Sequence, residues 1–92
     1  GPGVHLMTQD VSAPTKIVIE DCKLQQNKIG FQVERAGLRT GYIHGEIVVR
    51  NCDMTDNSEY AWYVEGDDVT LEHCNSGGSL TIERGNNINV IN

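Results

Sequence analysis

Ninety-two residues leave room for one small domain with a single modest core. Seven Lys and Arg against thirteen Asp and Glu give a net charge of −6, which argues against nucleic acid, whose binding rests on neutralising phosphates, and equally against anionic membranes. No apolar run approaches the roughly 18 residues that span a bilayer, and the three cysteines form neither an even disulfide framework nor a zinc set with a close pair.

In chain order, residues 1–3 read as a protease scar or linker and residues 4–92 as the folded unit. Val4-His5-Leu6-Met7-Thr8 is a partial copy of a strand type that returns later. Lys16-Ile17-Val18-Ile19-Glu20-Asp21-Cys22 has period-two apolar residues, a polar turn residue and a cysteine, the pattern of a half-buried strand. Ile29-Gly30-Phe31-Gln32-Val33-Glu34-Arg35 is a second strand type, followed by the long connection Ala36 to Gly45. The first type recurs at Glu46 to Cys52, at Asp68 to Cys74 and at Asn87 to Asn92. The second recurs at Tyr60 to Gly66 and at Ser79 to Arg84, with Leu80 set under Phe31 and Trp62.

This is a repeat of two strands in fixed order, with first-strand starts 30, 22 and 19 residues apart (Ile17, Ile47, Val69, Ile88). Hairpins do not produce such a register, whereas a coil that returns to its start one strand spacing higher does, about 4.8 Å per step. The predicted inward columns are Ile17, Ile47, Val69, Ile88 and Ile19, Val49, Leu71, Val90, followed by the three cysteines as reduced, buried thiols. The second strand adds Phe31, Trp62, Leu80 and Val33, Val64, Ile82. Outward, Glu20, Arg50 and Glu72 alternate in sign as cross-strand pairing favours, and Asp21, Asn51 and His73 form a polar turn column.

The recurring I-x-I-x-(D/N/H)-C pattern, on layers of about twenty residues, resembles the pectate-lyase-like right-handed β-helix superfamily over nearly all of residues 4–92. The resemblance implies an all-β, single-stranded, right-handed parallel β-helix of about three and a half coils. Because solenoids normally carry caps at both ends and Asn87 to Asn92 reads as an uncapped strand, a piece of a larger β-helix is expected. It implies no particular activity, because the superfamily includes polysaccharide lyases, hydrolases, epimerases and phage tailspikes.

Glu34, Glu65 and Glu83 share one predicted outward column, so three carboxylates would stack on successive layers, where like charges are normally avoided. Either the long side chains fan into solvent beside Arg35 and Arg84, or the column serves chemistry: a hard cation such as calcium, or paired carboxylates in glycoside chemistry. The loop offers Arg39, Tyr42 and His44 for a sugar, by ring stacking and hydrogen bonding. Tyr63 points outward beside Gln32 and Thr81, while Tyr60 and Trp62 share the inward parity of Val64. The acidic turns at Asp53/Asp56 and Asp67-Asp68 and the histidine His73 suit local hydrogen bonding.

The expected function is a non-enzymatic, structural or glycan-facing β-helix module of a phage tailspike or similar surface fibre, homotrimeric, on a virion or cell-surface appendage. Catalysis by this chain is not expected, since one long loop builds no groove. The alternatives are a fragment of a polysaccharide lyase, hydrolase or epimerase, and an intracellular β-helix protein-interaction domain.

Overall fold

The computed structural model describes residues 2–8, 16–35 and 45–92, with no helix among them. Eight strands follow one another: β1 (Pro2–Thr8), β2 (Lys16–Glu20), β3 (Ile29–Arg35), β4 (Glu46–Arg50), β5 (Tyr60–Glu65), β6 (Val69–Glu72), β7 (Leu80–Arg84) and β8 (Ile88–Ile91). They form two four-stranded sheets, ordered β1-β3-β5-β7 and β2-β4-β6-β8, and every pairing is parallel. Parallel neighbours need a crossover. Here the crossover from one strand to its neighbour contains a strand of the other sheet, so the chain alternates between the sheets throughout. β1 takes in Pro2 and Gly3 as well as the predicted copy from Val4.

In the β2-β4-β6-β8 sheet the pairing columns are those predicted, although at the two edge strands Ile17 (38%) and Val90 (45%) are exposed rather than buried. Ile17 pairs with Ile47, Ile47 with Val69 and Val69 with Ile88, while Ile19, Val49, Leu71 and Val90 pair in the same order. Between the sheets Phe31, Val33, Val49, Met54, Ala61, Val64, Val69 and Leu71 are fully enclosed. This is where burial of apolar area stabilises the molecule, by about 1.5–3 kcal/mol for each large side chain.

The turns are also stacked. Asp21, Asn51 and His73, the predicted polar column, adopt φ of 57°, 53° and 53°, a left-handed conformation that Asn, Asp and His tolerate better than other side chains. Asp68 and Asn87 (both 59°) enter the next strand the same way, and Gln26 and Asp56 (both 60°) form a further pair. Asn57, 8% exposed, ties two such turns together. Its Nδ2 donates to the carbonyls of Leu24 and Met54, each at 2.8 Å, and its Oδ1 accepts the Asn27 N–H at 3.1 Å. Gly30 lies directly against this amide: a Cβ there would stand 2.6 Å from the Ala61 carbonyl oxygen and 2.8 Å from Asn57 Nδ2.

The cysteines stack as neighbours, flanked by the bridges Lys23–Asp53 and Asp53–Asn75, and all three are free thiols. Each Sγ reaches the carbonyl two residues earlier: Glu20 at 3.2 Å, Arg50 at 3.3 Å and Glu72 at 3.6 Å. Only Cys52 is buried; Cys22 and Cys74 are half-buried, being the outer members of the column. Burial pushes the Cys52 and Cys74 thiols up, which keeps them protonated and poor nucleophiles.

One predicted register is corrected. Instead of Leu80 beside Trp62 and Ile82 beside Val64, β7 pairs Leu80 with Tyr60, Thr81 with Trp62, Ile82 with Tyr63, Glu83 with Val64 and Arg84 with Glu65, with an irregularity between Tyr60 and Trp62. A slip of one residue exchanges the two faces of a strand. The cause is the following turn. Gly85-Asn86-Asn87 repeats Gly66-Asp67-Asp68 at a separation of 19 residues, the same as that between β6 and β8. The Asn86 N–H donates to Asp67 Oδ1 at 2.8 Å and Asn87 Nδ2 to Asp68 Oδ1 at 2.7 Å. Gly85, at φ 152°, passes so close that a Cβ would fall 1.8 Å from the Gly66 carbonyl oxygen. The turn therefore sets β7, the edge strand of its sheet, on which Leu80 is 68% exposed.

Candidate functional site

The outward face of the β1-β3-β5-β7 sheet gathers most of the chemistry. One row crosses the strands through His5, Gln32, Tyr63 and Ile82. Two residues further along, Met7 pairs with Glu34 and Glu65 with Arg84. Carried one residue past the Val33–Val64 pair, the register sets Glu34 beside Glu65. Strand geometry spaces these positions about 4.8 Å across the sheet and about 6.6 Å along it.

Each carboxylate on this face has a partner. His5 Nε2 lies 2.9 Å from Glu34 Oε2. Arg84 Nη1 is 3.9 Å from Glu65 Oε1 and donates to the Tyr63 hydroxyl at 3.1 Å, with the guanidinium carbon 5.8 Å from the Tyr63 ring centroid. Tyr60 meets that ring edge-on, with centroids 5.4 Å apart. A hydrogen bond to Glu65 raises the Tyr63 pKa, loss of solvent and the Glu65 charge add to this, and Arg84 opposes it. Tyr63 thus stays a neutral phenol, able to donate and to accept, in an orientation fixed by three neighbours.

The predicted site residues separate into three groups. Glu34, Glu65 and Tyr63 come together on this face. Glu83 does not join them: its Oε1 accepts the Trp62 indole N–H at 3.0 Å, so the three-carboxylate column does not form. That bond satisfies a donor on a side chain only 5% exposed, which would otherwise be costly to enclose. Ile82, not Thr81, stands beside Tyr63. Arg39, Tyr42 and His44 lie outside the described residues, and so does the side chain of Arg35. Among the described residues, no three His, Cys, Asp or Glu side chains are grouped so that they could hold a metal ion. His5 was not among the predicted site residues, although aligning Val4–Thr8 with Phe31–Arg35 sets it over Gln32 and two places from Glu34.

Elsewhere, a shallow polar depression of about 420 Å³ is lined by Gln26, Asn27, Lys28, Asp56, Asn57 and Ser58. Its lysine is engaged by Glu59 at 3.2 Å and its buried amide by the turn carbonyls already described. It serves the stacking of turns.

Compared with protein-family models, curated proteins and solved structures, the chain matches none.

Proposed function

We propose that the chain is a right-handed parallel β-helix acting as a non-enzymatic, glycan-facing module of a tailspike or similar surface fibre, assembled as a homotrimer. The strict alternation of strands between two parallel sheets supports the helical reading. The observation that carries the functional reading is Tyr63. Its half-buried aromatic ring is contacted by Tyr60, Glu65 and Arg84 on the outward sheet face, in register with Gln32. Fixed aromatic surface with polar groups at its edge suits a sugar ring, which offers a C–H face and a rim of hydroxyls. The partnered carboxylates favour presentation over proton transfer, since Glu34 and Glu65 are engaged by His5 and Arg84. The net charge of −6 favours neutral over acidic polymers.

Affinity electrophoresis through gels containing neutral, acidic or amino-sugar polysaccharides tests this reading. At least one neutral polymer should retard the chain, and Tyr63→Ala should abolish the retardation while leaving the circular dichroism spectrum unchanged. Unaltered mobility in every gel would sink the glycan reading.

A further inference from the structure

We infer that β7 exchanges between two registers on β5 that differ by one residue, and that this exchange switches the outward face around Tyr63. Two signals that agree everywhere in the β2-β4-β6-β8 sheet conflict in this strand. The turn Gly85-Asn86-Asn87, stacked on Gly66-Asp67-Asp68, holds Glu65 opposite Arg84 and Trp62 opposite Thr81, a separation of 19 residues. The apolar alternation of β7 demands 18, which would set Leu80 on Trp62 and Ile82 on Val64, both enclosed residues.

The structure occupies the register that the turn favours. On β7, the edge strand of its sheet, the mismatch shows in what faces the core. Leu80 is mostly exposed and Ile82 half-exposed, and Glu83 takes the position opposite the enclosed Val64, held there by the Trp62 indole. The irregularity between Tyr60 and Trp62, where the separation changes from 20 to 19, marks where the mismatch is absorbed. Such irregularities permit local shifts of pairing.

In the second register Leu80 and Ile82 are covered, Glu83 leaves Trp62 and comes to stand beside Glu65, and Arg84 moves away from Tyr63. The extra residue is taken up at Gly85, where the turn has no side chain. The two states thus differ in what they present. In one, Tyr63 is clamped by a cation; in the other, it is released beside two carboxylates. The inference stands on register alone and holds whether or not the face binds a glycan.

Relaxation-dispersion NMR on the ¹⁵N-labelled chain tests it. Amides of β7 and of Tyr60 to Val64 should report exchange with a minor state of about 1–10%, while β2 and β4 stay flat. Gly85→Ala, whose Cβ the observed turn cannot hold, should make the second register the major one. The Trp62 indole resonance would then shift, and cross-strand contacts would pair Ile82 with Val64 in place of Tyr63. Flat profiles across β7 in the wild-type chain would overturn the proposal, and that reading stands even if Gly85→Ala fails to fold. A folded Gly85→Ala that keeps the Ile82–Tyr63 contact would overturn it as well.

Discussion

The β2-β4-β6-β8 sheet and the β1-β3-β5-β7 sheet contain the same number of strands, yet only the first follows its apolar pattern to the end. In the first, each strand is entered or left through a left-handed turn residue, such as Asp68 and Asn87 on one side and Asn51 and His73 on the other. These turns demand the same register as the Ile/Val/Leu alternation. In the second, β7 receives one instruction from its apolar residues and another from the turn that follows, and the turn prevails. Hydrophobic pattern therefore selects which residues can be core, while stacked turns decide which of them are.

The largest expected effect makes this contrast measurable. Leu71 in β6 is fully enclosed, so Leu71→Ala should cost about 2–5 kcal/mol. Ile82 is only half-buried, and Ile82→Ala should cost less than about 1 kcal/mol. Urea denaturation monitored through Trp62 would report both, as shifts in midpoint at unchanged slope. Equal costs for the two variants would mean that β7 is packed as its apolar pattern predicts.

Next in size is Asn57. Its side chain serves three buried or half-buried backbone groups, on Leu24, Met54 and Asn27. Asn57→Ala strips them of partners and should cost about 1–3 kcal/mol. Asn57→Asp is informative beside it, since a carboxylate can accept the Asn27 N–H but cannot donate to either carbonyl. A loss of stability by Asp comparable to that by Ala would assign the effect to the two donated bonds.

These cases show what was legible. Alternation specified every pair of the β2-β4-β6-β8 sheet, and the recurring cysteines supported those among β2, β4 and β6, because the repeat there is in phase with its turns. The glycine-led turn Gly66-Asp67-Asp68 recurs as Gly85-Asn86-Asn87 just as plainly in the sequence. Aligned first, it would have moved Leu80 off Trp62 and put Arg84 beside Glu65. The carboxylate column failed for this reason and no other. The Asn27–Asn57 repeat also went unread, since an asparagine in a turn looks like solvent-facing polarity until its three buried partners are in place. On the outward face, the pairing of Glu34 with Glu65 followed from correct alignment of β3 with β5. The His5–Glu34 contact depended on taking the partial copy at Val4 as a full neighbour.

A smaller, pH-dependent effect separates two turns that share one side-chain-to-backbone hydrogen bond. Asp53 Oδ1 accepts the Thr55 N–H at 3.1 Å, and Asn75 Oδ1 accepts the Gly77 N–H at 3.0 Å. Hydrogen bonds from the Thr55 side chain and backbone hold the Asp53 carboxyl below its usual 3.8. A depressed folded pKa means that the carboxylate's contribution is complete above the unfolded value and is lost as the pH falls through the folded one. Melting temperatures of wild type and Asp53→Ala should therefore draw together as the pH is lowered from about 5 through the acidic range. The gap produced by Asn75→Ala should not change over that range. Parallel curves for both variants would mean that the carboxylate charge plays no part in the Asp53 turn.

The smallest effects concern the surface cations, and they distinguish strength from specificity. Arg50 approaches Glu20 at 3.7 Å and faces Glu72 across the ladder, but its Nε is enclosed and makes no hydrogen bond. An exposed ion pair contributes about 0.2–1 kcal/mol, and the enclosed Nε offsets part of that. Arg50→Ala should accordingly move the urea midpoint hardly at all and leave all chemical shifts of the opposite sheet in place. Arg84 is no better paired in distance, at 3.9 Å from Glu65, and its removal should be equally mild in stability. Its bonds to Tyr63 and Glu65 exist only in the observed register of β7, however. Arg84→Ala should therefore perturb the amides of β7 and the Trp62 indole well beyond its own neighbours. If both substitutions proved silent in the spectrum, charge would have no role in setting the register, and the turn at Gly85 would hold β7 alone.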